Sequence, residues 1–386
     1  MSEESSKPNG LFIALAFVTA FVSIFSAVLM TEPGQSLNLP RDWVFGYHSN
    51  KWLFIILNLG LLAALWFMHI KYRIWGKIWM SLASLGVIFC IISANFLLPA
   101  FFPSYQYGAN YVSVQEADQL LEDDSIIYAV EINGDVKGYP RKHLEIPHIA
   151  GANIGGKDVV MTFCGLSNLP VVYDQDIGLG KSDLGILIQV HNNLVMVDRE
   201  SGELIQQITG KVESSGKKLP AFANDMMTWK VFKRLYPNAT VFIYEFNRPL
   251  DTLLLALFEG PMEKQFSEEY GAIFPTLDLK DDRLPNKEQV WGLDLGNEQA
   301  AFTRSFMEKN PVYQFELGGK KLVIAHDKEN DIVTVFDRTV DGVGIEVTEV
   351  DRNGNTPQGM LQKVPLQNGV FWMIWAHWFP ETKVFS

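Results

Sequence analysis

IYAVEINGDVKGYP, from Ile127 to Pro140, can be laid on VWGLDLGNEQAAFT, from Val290 to Thr303, with a constant offset of 163. The first stretch alternates in a strand-like manner as far as Asn133-Gly134, a pair that tolerates positive φ and closes a tight hairpin. The same offset, without a gap, brings GGKDVV (from Gly155) onto GGKKLV (from Gly318), and VVYDQ (from Val171) onto TVFDR (from Thr334). A second correspondence, at an offset of 143, links TWKVFKRLYPNATVF from Thr228 to FWMIWAHWFPETKVF from Phe371. The segment between the two correspondences is therefore about twenty residues shorter in the second half. Self-similarity of this kind marks a repeated structural unit. The expected fold is an α+β, predominantly β domain built from two pseudo-symmetric repeats, about 120–245 and 284–386.

Within the first copy, strands are expected at Ile126 to Ile132, Val159 to Phe163, Pro170 to Tyr173, Leu184 to Val190, Leu194 to Val197 and Leu204 to Ile208. Asp225 is expected to cap a helix with Trp229, Phe232 and Tyr236 on one side, ended by Pro237. Its counterpart, Phe371 to Phe379, is aromatic nearly all round and should be buried. Ser113 with Glu116 forms a capping box. Leu250 to Phe258 is apolar enough to lie on a membrane or under the core, and the core is the expectation.

Working outward, the composition is split. The chain has 386 residues, 48% of them hydrophobic. Its mean hydropathy of +0.06 averages two unlike parts. Residues 1–103 hold only six basic and four acidic side chains, which leaves 26 basic and 40 acidic ones in 104–386, a formal charge of −14. Acidity on that scale argues against a nucleic-acid partner, since phosphate binding needs a basic surface. Two cysteines, Cys90 and Cys164, are too few for a disulfide framework. Composition also excludes collagen-like and disordered chains. No phosphate-binding loop, dinucleotide fingerprint or hydrolase elbow is present, because the glycines stand as Gly-Gly turns before strands.

Residues 1–103 read as a membrane domain with three transmembrane helices, about 11–30, 52–70 and 78–98. Leu11 to Met30 is twenty residues without a charge, enough for a hydrocarbon core of about 30 Å and longer than the apolar core of a signal peptide. Ser93 and Asn95 could hydrogen-bond a neighbouring helix. The connection HIKYRIWGK carries Lys71, Arg73 and Lys77 with no acid, so it should face the cytoplasm. Three spans then place residues 104–386 on the extracytoplasmic side of a cell membrane, with the lipid bilayer as first partner.

INGDVKGYP, the GGKDVVMTFC strand, VVYD, NNLVMVDRESGELIQQITG and TWKVFKRLYP, in that order, resemble the family catalogued as domain of unknown function 3179, over most of 120–386. The resemblance implies thiol or selenol chemistry, since the usual motif after the central strand is Cys-Pro-Leu-Cys and some members carry selenocysteine. Here the motif stands as Cys164-Gly-Leu-Ser167, so an intramolecular dithiol switch is excluded.

Cys164 should end its strand ahead of a turn whose amides could stabilise a thiolate. Under the offset of 163 it falls opposite Asp327, and Phe163 opposite His326. If the copies pack about a pseudo-twofold axis, His326 and Asp327 could stand beside the thiol as base and orienter. Cys164, His326 and Asp327 are thus the candidate catalytic set, resolved by an external thiol. The candidate metal ligands are His143, His148 and His191, though their spacing is not diagnostic. Arg199, Ser167 and Asn168 are candidate substrate contacts. The cofactor is left open; a Cys with two or three histidines could bind copper, zinc or haem iron. The alternative is a non-catalytic envelope module that binds a metal, a small ligand or a partner membrane protein. A Cys164 packed among aliphatic side chains would favour that alternative.

Overall fold

The computed structural model describes residues 8–176, 180–267 and 271–386. It divides into two units, one of residues up to Ala100 with the short segments Ile188–Val190 and Phe274–Thr276, the other comprising the rest from Phe101.

The first unit contains α1 (Asn9–Leu29), α2 (Glu32–Ser36), α3 (Arg41–Ser49), α4 (Lys51–Tyr72) and α5 (Lys77–Phe101). Helices α1, α4 and α5 are long and apolar enough to cross a membrane. Uncharged runs of this length become helices because hydrocarbon offers no partner for an open backbone. Polar side chains join them. Ser23 donates to Asn58 Oδ1 at 2.6 Å, and Trp66 Nε1 to Ser84 Oγ at 2.9 Å. Asn95 donates to the hydroxyl of Tyr47 at 3.2 Å, whereas Ser93 Oγ finds no partner among the described atoms. The short helices α2 and α3 were not expected, although Pro33 in the first turn of one and Pro40 ahead of the other are residues that start helices.

In the second unit β1 (Tyr111–Ser113) leads into α6 (Val114–Ala117). Ser113 Oγ accepts the Glu116 amide at 3.3 Å while Glu116 accepts the Ser113 amide at 2.9 Å, a complete capping box. Next come β2 (Ile126–Ile132), β3 (Asp135–Pro140), α7 (Arg141–Leu144), β4 (Ile149–Ile154), β5 (Lys157–Cys164) and β6 (Leu169–Asp174). They are followed by β7 (Leu184–Val190), β8 (Asn193–Asp198), β9 (Leu204–Gln206), β10 (Lys211–Val212), β11 (Ala221–Phe222), β12 (Asp225–Thr228), α8 (Trp229–Leu235) and β13 (Thr240–Phe242). Helix α9 (Pro249–Phe266) connects to β14 (Gln289–Asp294), β15 (Gln299–Phe302), α10 (Arg304–Lys309), β16 (Val312–Leu317), β17 (Lys320–Asp327) and β18 (Ile332–Asp337). Two small pairs, β19 (Thr339–Val340) with β20 (Val343–Gly344) and β21 (Asn355–Thr356) with β22 (Gly359–Met360), precede β23 (Gln362–Val364), β24 (Gln367–Phe371), α11 (Trp372–Trp378) and β25 (Lys383–Phe385).

Five sheets of four or five strands give a propeller-like arrangement of five blades. Their orders are β1-β13-β3-β2-β12, β11-β6-β5-β4, β10-β9-β8-β7, β16-β17-β18-β23 and β24-β14-β15-β25. The order β13-β3-β2-β12 recurs as β25-β15-β14-β24, and β11-β6-β5-β4 as β23-β18-β17-β16. In both of the first kind the last strand joins in parallel, β13 on β3 and β25 on β15. The sheet β7–β10 lies in the longer segment of the first half; the corresponding segment of the second half holds the two small pairs. Asn133 and Gly134 both take positive φ, 51° and 80°, the mirror-image turn that matches strand twist in the β2–β3 hairpin.

Helices α8 and α11 each press an aromatic ring on a cross-strand pair of small residues. Under α8 the pair is Ala129 with Gly138, where a Cβ on Gly138 would lie 2.7 Å from the Phe232 ring. Under α11 it is Gly292 with Ala301, where a Cβ on Gly292 would lie 2.3 Å from the Trp375 ring. As expected of its aromatic sequence, α11 is buried from Trp372 to Ala376.

Two expectations change. Asp225 does not cap a helix. It is drawn into β12, which pairs with β2, and there it accepts Lys363 Nζ at 2.5 Å and Thr334 Oγ1 at 3.3 Å; Thr228 occupies the cap position without a side-chain bond. The Leu250–Phe258 run is core only in part. Leu254 is buried, but Leu253, Leu255 and Leu257 are 47%, 43% and 54% exposed, and the side chain of Phe258 lies outside the described residues.

Candidate functional site

Cys164 ends β5, paired with Leu169 of β6 across the turn Gly165-Leu166-Ser167-Asn168. Asn168 adopts positive φ, 52°, which an Asn side chain tolerates, and its amide bonds Gly165 O at 3.3 Å. Strand β24 holds the turn from outside: Asn168 Nδ2 donates to Gly369 O at 2.7 Å, and the Phe371 amide to Ser167 O at 3.2 Å. Asn193 Nδ2 donates to Ser167 Oγ at 3.1 Å. Ser167 and Asn168 are therefore buried parts of the turn.

The Cys164 side chain is 0% exposed and belongs to a core cluster with Ile149, Val160, Leu169, Leu194 and Trp372. Its sulfur lies 4.0 Å from Asn192 O. Burial pushes the thiol above its ordinary value, and hydrogen bonding at Ser167, Leu194 and Leu166 only partly opposes this. A thiolate, the form that attacks or binds metal, is disfavoured here.

Around the turn lies a buried amide network. Asn193 Oδ1 accepts Gln206 Nε2 at 2.8 Å, Asn193 Nδ2 donates to Gln207 Oε1 at 2.9 Å, and Gln207 Nε2 reaches Leu169 O at 3.0 Å. On another side Gln265 Nε2 donates to Leu166 O, and Lys287 Nζ donates to Gln265 O at 2.5 Å and Oε1 at 3.2 Å. Desolvation pushes the Lys287 ammonium down to about 8. Most of these groups satisfy one another, but Gln206 Oε1 and, in the turn itself, Asn168 Oδ1 find no partner among the described atoms.

His326 and Asp327 end β17 at the position equivalent to the end of β5, yet their bonds go elsewhere. His326 Nε2 pairs with Asp331 Oδ1 at 2.9 Å, and Arg304 Nη1 holds the same carboxylate at 2.8 Å. Asp327 accepts the amides of Glu329 and Asn330 at 3.1 and 3.3 Å and so closes its own turn. That turn is held by Arg234 of α8, which bonds Glu329 at 3.1 Å and also Asn330. Each turn is thus fixed by an element of the other half, and the described bonds of Cys164 and of His326 go to different groups.

The three candidate metal ligands do not gather either. His143 Nδ1 accepts the Tyr244 amide at 3.1 Å. His148 is buried against Phe102, with burial pushing it down to about 4. His191 stacks on His377 at 4.8 Å. Among the described residues no three His, Cys, Asp or Glu side chains are placed to hold a metal ion. Arg199 already pairs with Asp183 at 2.6 Å.

A cleft of about 330 Å³ lies elsewhere, lined among others by Gln106, Tyr107, Tyr111, Lys137, Gln175 and Lys181. Lys137 Nζ stands 4.9 Å from the centre of the Tyr111 ring and donates to Thr240 Oγ1 at 3.0 Å. Lys181 Nζ lies 5.5 Å from the Tyr107 ring centre and pairs with Asp158 at 3.0 Å. Tyr107 OH and Gln106 Nε2 both donate to Ser182 O at 2.6 Å, fixing that wall. Gln175 Nε2 donates to Val159 O at 3.0 Å, and its Oε1 finds no partner among the described atoms. Motif reading missed this cleft because its residues come from β1, β3, β4, β5 (Asp158), the segment before β1 and the segment between β6 and β7. One signal was available: Lys137 falls opposite Ala300 under the offset of 163, a charge on one copy only.

The model of the family described as "Protein of unknown function (DUF3179)" matches residues 102–382. No curated protein and no solved structure matches the chain.

Proposed function

The chain belongs to the DUF3179 family, and from that footing we propose that it is a membrane-anchored, non-catalytic binding module whose cleft retains a small anionic solute on the extracytoplasmic side. The observation that carries this reading is Lys137. Its ammonium lines the cleft over an aromatic face, bonds only the neutral hydroxyl of Thr240, and has no carboxylate partner among the described residues. A cation so placed can take a carboxylate or phosphate without first breaking an ion pair. The volume is within the range of small-ligand sites. The enclosed Cys164, with its thiol pushed up by burial, supports binding over thiol chemistry. Orientation rests on the basic, acid-free connection containing Lys71, Arg73 and Lys77. The reading of two pseudo-symmetric copies is supported by the recurring strand orders and parallel closing strands.

The test is thermal unfolding of the full chain in lipid nanodiscs with citrate, glucuronate and inorganic phosphate at millimolar concentration. At least one should raise the midpoint by a few degrees, as ligand binding to the native state requires, and Lys137→Met should remove that rise. No rise with any of the three, or an unchanged rise in the variant, would overturn the proposal.

A further inference from the structure

The wall of the cleft asks more of its occupant than a negative charge. Among the described residues, three charged side chains line it, Lys137, Lys181 and Asp158. Both oxygens of Asp158 are engaged, Oδ2 by Lys181 Nζ at 3.0 Å and Oδ1 by Asn153 Nδ2 at 2.9 Å. Lys181 is thereby neutralised, and Lys137 alone is left to be matched. One uncompensated cation fits a ligand with one negative charge. Each further anionic group would meet the Asp158 carboxylate or have to displace it from Lys181, and like charges brought together are penalised.

A second observation comes from Gln175, which lines the cleft and is 3% exposed. Its Nε2 donates to Val159 O at 3.0 Å, and because a carbonyl oxygen only accepts, that bond fixes which end of the amide is which. Oε1 is left with no partner among the described atoms. Native proteins rarely leave a buried acceptor so. A carboxylate does not meet the need, having no proton to give, whereas a hydroxyl does. Tyr107 adds an apolar surface: its hydroxyl donates to Ser182 O at 2.6 Å, which holds the half-exposed ring in place.

Given an anion on Lys137, the reading on which this rests, we propose that the cleft takes a polyhydroxylated monocarboxylate, a sugar acid of the uronate kind. The carboxylate pairs with Lys137, a hydroxyl donates to Gln175 Oε1, and the C–H surface of the sugar meets the Tyr107 ring. Citrate and phosphate, which carry more than one charge near neutral pH, are then the poorer ligands.

Thermal unfolding of the full chain in lipid nanodiscs, followed across ligand concentration, ranks the dissociation constants. Glucuronate is set against cyclohexanecarboxylate, which keeps a ring and a single charge without hydroxyls, against glucose, which keeps hydroxyls without the charge, and against citrate and phosphate. Glucuronate should bind about ten-fold more tightly than cyclohexanecarboxylate, since a site built to bond a hydroxyl rejects the analogue lacking it. It should also bind more tightly than citrate or phosphate, and glucose should give no shift. Gln175→Met, which keeps a side chain of similar length without the amide oxygen, should remove most of the preference over cyclohexanecarboxylate. The ligand series on the unsubstituted chain decides the matter even where that variant does not fold. Cyclohexanecarboxylate, citrate or phosphate binding as tightly as glucuronate would overturn the sugar-acid assignment and leave Lys137 as an anion site. No shift with any anion would overturn both.

Discussion

At the scale of single residues, the contrast is between a thiol that looked reactive and a lysine that did not. Cys164 stands at its strand end, as the sequence indicates, but accessibility depends on what covers that end. Cys164 is buried in one core cluster with Leu184 of β7, Leu194 of β8 and Trp372 of α11, segments up to about two hundred residues away. Strand periodicity says nothing about such packing. The same holds for His326 and Asp327: the offset of 163 sets them opposite Phe163 and Cys164, but it does not say which turn each segment grips. The consequence can be measured by maleimide labelling of the full chain followed by mass spectrometry. Because burial favours the protonated thiol, Cys164 should label at least ten-fold more slowly at pH 7 than after denaturation. Raising the pH to 9 should not close the gap, since a thiol held above its ordinary value stays protonated where an exposed one near 8.5 has ionised. Rapid labelling of the folded chain with an apparent pKa below 8 would return the residue to the list of nucleophiles.

At the scale of elements, the six strands expected in the first copy could be read because alternation and Gly-Gly or Asn-Gly turns bound them, whereas β1, β4 and the short β10 to β13 were not read; α11 could be read because its aromatics leave no polar face. Asp225 misled because an Asp ahead of an apolar run signals a helix cap, while the pairing of β12 with β2 is a tertiary demand that outweighs it. The glycine under each aromatic ring is more instructive. The two halves solve one packing problem with the same parts exchanged between strands, Ala129 and Gly138 against Gly292 and Ala301. Gly292→Ala should therefore cost about 1–3 kcal/mol, the usual range for overpacking. It places a methyl 2.3 Å from the Trp375 ring. Combining it with Trp375→Leu, which vacates the overlapped ring, should cost less than the sum of the two single substitutions. Urea midpoints of the four proteins in the cycle check this, and strict additivity would show that the ring and the methyl never compete.

At the scale of the whole molecule, the division into apolar helices and an acidic β unit was legible from charge counts alone, whereas the number of blades was not. The sheet β7–β10 belongs to one half only, so internal repetition pointed away from it. Topology predicts the outcome of a fusion experiment: alkaline phosphatase joined after Ser386 should be active, and green fluorescent protein at the same place dark, if the Lys71–Lys77 connection is cytoplasmic. The opposite pair of signals would invert the chain. The parallel closing strands also set an order of events during synthesis. Strand β3 cannot receive β13 until Thr240 follows Lys137, a separation of 103 residues, and β15 must wait for Lys383 after Ala300, a separation of 83. Contacts this distant along the chain make for slow folding. The first half nevertheless has all the partners of its own closing sheet before any of the second is made, so a ribosome or translocase releasing the chain from its amino end would let one clasp shut before the other begins.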